Sequence, residues 1–211
     1  MMAAGDRFMV TMSGRGGHAA SPHKTRDSVL ASAHLVTVLQ SIASRHTDPF
    51  DPVVVSVTHL AGGSASALNV IPASVSIGGT IRTINPKTRA DVEQRFRDIV
   101  ASTARQFEVD ADIDWRPGYP VTINDPSMAA AAISAASSVA GADNVDGNCA
   151  CTMGSEDFSY MLEKRPGAIM WLGNGDSAGL HHPAYDFSDD AIIHGVRYWT
   201  KLVDQRLGNG G

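Results

Sequence analysis

A chain of 211 residues, 43% apolar and 18% charged, has an ordinary globular composition, with material for one large domain or two small ones. Its formal charge of −5 gives no global electrostatic reason to expect nucleic acid or an anionic membrane as partner. No apolar run approaches a membrane span, and Met1–Arg7 lacks the basic-then-apolar order of a secretory signal. Cys149 and Cys151 fit neither a CxxC redox motif nor a paired zinc motif. They are expected to be free thiols of a reducing compartment, with the cytoplasm as the expected location.

The first half alternates strand and helix. Phe8, Val10 and Met12 alternate with Arg7, Met9 and Thr11, which predicts a strand ending at the Gly14–Gly17 cluster. Thr25 to Ser44 reads as one helix with a broad apolar stripe, broken by Asp48-Pro49 and Asp51-Pro52. Val53–Leu60 and Ser74–Thr83 read as strands. In the latter, Val75, Ile77 and Ile81 face one way while Ser76, Thr80 and Arg82 face the other. Asn85-Pro86 supplies an N-cap and a first helical residue for a second helix, carrying Val92, Phe96, Ile99, Val100 and Phe107. Val109, Ala111, Ile113 and Trp115 close the unit as a strand whose other face holds Asp110, Asp112 and Asp114.

This order, β-α-β-β-α-β, predicts a ferredoxin-like α+β domain with both helices on one sheet face. Arg82 then lies on the open face, where its charge can meet a ligand. The second long strand, with Val53, Val54, Val55 and Val57, becomes an apolar edge best covered by a second subunit.

From Tyr119 the composition changes. Asp125-Pro126 opens an alanine-rich helix to about Ala140, and a short helix is expected after Gly154. Ala168–Leu172 reads as a buried strand of α/β type. Ser188, followed by Asp189 and Asp190, is expected to cap a last helix ending near Gly208. One strand cannot make a parallel sheet, so this region reads as the tail of a domain that begins elsewhere.

Four local patterns can carry chemistry. In Gly14-Arg15-Gly16-Gly17-His18 the glycines let the backbone turn sharply and bring an imidazole to a ligand, or they form a plain turn with a surface histidine. In Leu68-Asn69-Val70-Ile71-Pro72, Asn69 can donate to a carbonyl or oxyanion, or simply serve an interstrand turn. The turn Met153-Gly154-Ser155-Glu156-Asp157-Phe158 can offer backbone N–H groups to a carboxylate, or Ser155 can be only a helix cap. His181-His182-Pro183, after the expected buried strand, can supply one metal ligand or only structural imidazoles.

Together these patterns resemble the aminoacylase-like family of dinuclear metallopeptidases, and within it the branch of hippurate hydrolases and indoleacetate–amino acid conjugate hydrolases. The resemblance rests on Gly16-Gly17-His18-Ala19-Ala20, Asn69-Val70-Ile71-Pro72, Gly79-Thr80-Ile81-Arg82-Thr83, Gly154-Ser155-Glu156-Asp157-Phe158 and His181-His182-Pro183, in the family's order and spacing. It implies a lid and dimerisation domain over 6–118, followed by the carboxy-terminal part of an α/β catalytic domain over 119–211. It implies that His18 reaches the partner subunit's active site to steady an oxyanion, assisted by Asn69. Arg82, with Gly154 and Ser155, would hold a substrate carboxylate.

The same resemblance makes His181 the last metal ligand, with Glu156 and His182 in supporting places. The cofactor implied is a pair of divalent ions, Zn, Mn, Co or Ni, and the substrate an N-acyl amino acid with a free carboxylate. The family's other ligands and its general base lie upstream of the lid, and nothing before Arg7 corresponds to them. The expectation is therefore an amidohydrolase fragment, inactive alone. The alternatives are a non-catalytic dimerising or ligand-binding module, or one half of a split hydrolase.

Overall fold

The alternation of Phe8, Val10 and Met12 is realised in β1 (Ala4–Ser13), whose even-numbered apolar residues are almost fully buried. The computed structural model describes residues 1–208, so 209–211 of the expected second domain lie outside the described residues. The chain divides into two compact units. The first is Met1–Thr122 with Cys151–Ser159, and the second is Ile123–Ala150 with the residues from Tyr160 onward.

In the first unit, β1 pairs antiparallel with β5 (Ser74–Thr83) and β6 (Asp110–Arg116), and β3 (Val53–Gly62) pairs with β5. The sheet order is β3-β5-β1-β6, which puts the valine-rich strand at an edge as expected. Helices α1 (Ser28–Leu39), α2 (Ser41–Arg45) and α3 (Pro86–Phe107) cover one face. Leu35, Leu39, Ile42, Phe96 and Val100 there meet Phe8, Val10, Met12, Val55, Ile77 and Ile81. Each such burial is worth about 1.5–3 kcal/mol, so this cluster is what holds the unit together. Phe8 lies 4.6 Å from Phe96, which lies 5.3 Å from Trp115. Gly79 makes room for this stack, since a Cβ there would come within 2.7 Å of the Phe8 ring.

Two local expectations are corrected and a third holds. The single helix predicted over Thr25–Ser44 is two, separated at Gln40. It starts later because the Asp27 carboxylate accepts from the N–H groups of Val29 and Leu30, while the Thr25 hydroxyl is spent on the Pro22 carbonyl. β3 runs on to Gly62 and carries a β-bulge: Val57 faces Gly79 and His59 faces Gly78, leaving Thr58 as an extra residue. The cap predicted at Asn85 is present, with its side chain accepting from Lys87 N–H at 2.9 Å.

In the second unit, α4 (Pro126–Ala140) packs against α6 (Asp190–Leu207). Asp125 caps α4 through the N–H groups of Ser127 and Met128. Asp189, not Ser188, occupies the N-cap position of α6, and Ser188 contributes only its carbonyl, to Ala191 N–H. The strand expected at Ala168–Leu172 does not form. A strand exists only through its ladder, and here the Asn124 side-chain amide takes a neighbour's place. It donates to the Ile169 carbonyl and accepts from Ile169 N–H, each at 3.0 Å. Along α6 the residues Ile192, Val196, Trp199 and Val203 recur at helical spacing and are more than half exposed.

Candidate functional site

The two-residue strands β2 (Gly17–His18) and β4 (Val70–Ile71) pair antiparallel, setting His18 opposite Val70. Ala19 N–H donates to the Asn69 carbonyl at 2.9 Å, so His18 and Asn69 emerge together from one small exposed ribbon. The glycines before His18 act through space rather than through a special turn. None has a positive φ, and a Cβ on Gly16 would lie 2.6 Å from the Ile71 carbonyl oxygen. The His18 Nδ1 accepts from Ala20 N–H at 3.1 Å. In the neutral ring that bond leaves the proton on Nε2, the outward nitrogen, and makes it a donor.

A second cluster gathers around Arg82. The Cys151–Ser155 segment docks beside the start of β1 through Ala3 N–H to the Thr152 carbonyl at 3.1 Å. This brings the half-buried Ser155 to Arg82, whose Nη1 donates to the Ser155 Oγ at 2.8 Å. Ser155 is therefore engaged by the arginine and is not a helix cap; the five-residue helix α5 (Phe158–Leu162) starts three residues later. Gly154 is exposed beside it. The Glu156 carboxylate accepts from Asp157 N–H, at 3.1 Å.

The two clusters lie toward opposite ends of the β1–β5 ladder: Arg82 is within the four-stranded sheet, whereas the His18–Asn69 ribbon is a separate two-stranded sheet that joins the chain past Ser13 and before Ser74. Arg82 pairs with Gly5 and Ser74 pairs with Ser13, eight residues further along the ladder. At the strand rise of about 3.3 Å per residue these two pairs are roughly 26 Å apart, and the ribbon with His18 follows Ser13 in the chain.

His181 and His182 are exposed in the second unit. His181 has φ 65, a left-handed conformation uncommon for a non-glycine residue. The ring of His182 is turned back, its Nδ1 accepting from Ala184 N–H at 3.0 Å. Its neutral form then carries the proton on Nε2 and suits donation rather than metal ligation. Among the described residues no three His, Cys, Asp or Glu side chains converge to hold a metal ion. The residues present thus do not by themselves fit a catalytic metal centre, which takes about three protein ligands.

The model of "Peptidase family M20/M25/M40" matches residues 17–205. The chain belongs to this family. An N-acetyldiaminopimelate deacetylase of Geobacillus sp. (strain WCH70) is 34% identical over 209 residues, 99% of this chain and 54% of the relative. An N-acetyl-L-cysteine deacetylase of Bacillus subtilis is 36% identical over 193 residues, 92% of this chain and 45% of the relative. The crystal structure of Bacillus subtilis YXEP protein, a dinuclear metal-binding peptidase from the M20 family, superposes with a TM-score of 0.77. It is 27% identical and covers 99% of this chain and 52% of its own. The chain thus spans about half the length of the M20 relatives it matches. The mixed α/β architecture, with its ferredoxin-like sheet, is that of M20 members.

One feature that motif reading passed over supports the Arg82 end of the sheet. Asp6 is 2% exposed, and its carboxylate accepts from Arg89 Nε at 2.9 Å, Arg89 Nη2 at 2.5 Å and Gly118 N–H at 3.1 Å. Arg89 Nη2 also donates to the Gly118 carbonyl at 3.1 Å. The pair ties the first turn of α3, the start of β1 and the segment after β6 into one block.

Proposed function

We propose that the chain supplies the lid and the carboxy-terminal share of an M20 amidohydrolase that cleaves N-acyl amino acids, acetylated or hippurate-like, in the cytoplasm. Residues 6–118 form the lid, and 119–211 complete a catalytic domain that holds two divalent ions, Zn, Mn, Co or Ni. His181 contributes one ligand, and the remaining ligands come from a segment matching the other half of the relatives. Arg82 and Ser155, beside Gly154, grip the substrate carboxylate. His18 donates from Nε2 to the oxygen that gains charge as the amide carbonyl is attacked, with Asn69 alongside. Glu156 and His182 serve the edges of the site.

The observation that carries this reading is the separation of the two clusters. Groups set toward the two ends of a ladder roughly 26 Å long are too far apart to grip one amino-acid derivative. A homodimer in which each lid lends His18 to the partner's Arg82 resolves this. The valine-rich edge of β3, with Val54 38% exposed, is a surface where two lids can pair.

The test uses the chain reconstituted with a polypeptide spanning the other half of these relatives. His18→Ala and Arg82→Ala homodimers should each lose about a hundredfold or more in kcat/KM. Random mixing should restore about a quarter of full activity, because half the dimers are mixed and each keeps one intact site. No recovery in dimers shown to have exchanged subunits would overturn the shared site. Chelator-sensitive turnover by the 211 residues alone would overturn the claim that metal ligands come from outside them.

A further inference from the structure

We propose that Gly5 is a positioning residue for Arg82, its missing side chain forming the floor across which the guanidinium lies. The inference rests on reading Arg82 as the carboxylate clamp, and it begins from the sheet register. On β5, Arg82 is flanked by Gly5 of β1 on one side and Val54 of β3 on the other. All three residues point to the open face. Val54 fills its side, so the arginine leans over the glycine to reach Ser155.

The fit is tight. A Cβ built on Gly5 would lie 1.9 Å from Arg82 Nη1, 3.1 Å from Arg82 Cζ and 2.8 Å from the Ser155 Oγ. Both members of the clamp therefore occupy the volume that any other residue would fill. Backbone geometry does not demand glycine here, because Gly5 is not in the left-handed region. Glycine inside a strand is unfavourable and marks a point of close approach.

The floor itself cannot drop away. Gly5 N–H donates to the Tyr119 carbonyl at 3.1 Å, and Gly118 presses on the Gly5 carbonyl so closely that a Cβ there would lie at 1.9 Å. Asp6, the next residue, anchors Gly118 and Arg89. With the backbone held from below, a methyl group at position 5 moves the side chains above it. Ordinary contact begins near 3.5 Å, so the guanidinium would shift by roughly 1.5 Å or more.

The obstructing atoms are side-chain ends, so Gly5→Ala disturbs the clamp and spares the ladder. The experiment titrates the 211-residue chain with an N-acetyl amino acid and with its carboxamide, followed by NMR, in wild type, Gly5→Ala, Arg82→Ala and the double variant. Wild type should prefer the carboxylate. Gly5→Ala should weaken its binding about tenfold or more, the loss of one charge-assisted hydrogen bond. The double variant should bind no more weakly than Arg82→Ala.

Melting temperatures give a second readout that does not depend on ligand. Gly5→Ala should lower Tm in the wild-type background and lower it clearly less beside Arg82→Ala, where the closest obstructing side chain is gone and the Ser155 hydroxyl is released to turn aside. Equal losses in both backgrounds, or carboxylate binding by Gly5→Ala at wild-type strength while Arg82→Ala fails, would overturn the role of Gly5 and leave the clamp standing. A wild type that does not distinguish the acid from the carboxamide would overturn the clamp, and this inference with it.

Discussion

Replacing Asp6 by asparagine keeps the shape of the side chain and removes its charge, which isolates the contribution of the Asp6–Arg89 pair. The Asp6 side chain is 3% exposed and that of Arg89 23%, so the pair is desolvated mainly on the carboxylate side. Three donors converge on the carboxylate. An asparagine offers one oxygen to them and turns an NH2 group toward the guanidinium. Removing one partner of a buried ion pair costs about 3–5 kcal/mol. Because Arg89 is partly exposed and still bonded to the Gly118 carbonyl, the lower end, about 3 kcal/mol, is expected. For a unit of this size that lowers Tm by roughly 10 °C.

Urea unfolding followed by circular dichroism, with thermal melts beside it, measures the loss. The midpoint should fall while the slope is unchanged. Lys87→Ala, which breaks an exposed ion pair with Asp91, is the control and should have no measurable effect. Replacing Asp6 and Arg89 together by leucine should recover much of the loss, since no unpaired charge then remains buried. If Asp6→Asn costs less than about 1 kcal/mol, the pair is not what fixes this end of the sheet.

Two further outcomes concern the second unit. Asn124→Ala removes both bonds to Ile169 and should cost about 1–3 kcal/mol; hydrogen exchange should show the Ile169 amide losing protection, and unchanged exchange there would refute the strand-mimic account. The Asp125 carboxyl is held below its ordinary pKa, first by the Ser127 hydroxyl and then by Met128 N–H, with desolvation opposing. Its contribution is therefore complete above the unfolded value of about 3.9 and lost as pH falls through the lower folded value. The stability gap between wild type and Asp125→Ala should accordingly shrink from pH 5 to pH 2 in urea titrations.

Where side chains alternate, the sequence was transparent, and of the caps Asn85 and Asp125 were legible while those of the first and last helices fell one or two residues away. The phases of β1 and β5 and the cap at Asn85 follow from local chemistry that tertiary packing did not override, and the edge position of β3 follows from the order of the elements. The His18–Asn69 ribbon and the Arg82–Ser155 contact were foreseeable as motifs, but their placement toward opposite ends of the β1–β5 ladder needs the register, which no single motif carries. Asp6 and Arg89 are 83 residues apart and leave no local pattern. Gly5 gives only the weak signal of a glycine at the start of a strand. Ala168–Leu172 shows the reverse failure: its residues satisfy strand propensity, yet propensity cannot supply the neighbour that a ladder requires.

The extra residue at Thr58 has a consequence for anything that adds to the outer edge of β3. Before it, Val53, Val55 and Val57 share the helix-covered side; after it, His59 stands on the open side, bonded to Ser76 at 2.9 Å. A straight strand docking from outside can keep step with only one of these two phases. The bulge therefore works as a ruler, limiting uninterrupted pairing along this edge to Val53–Val57.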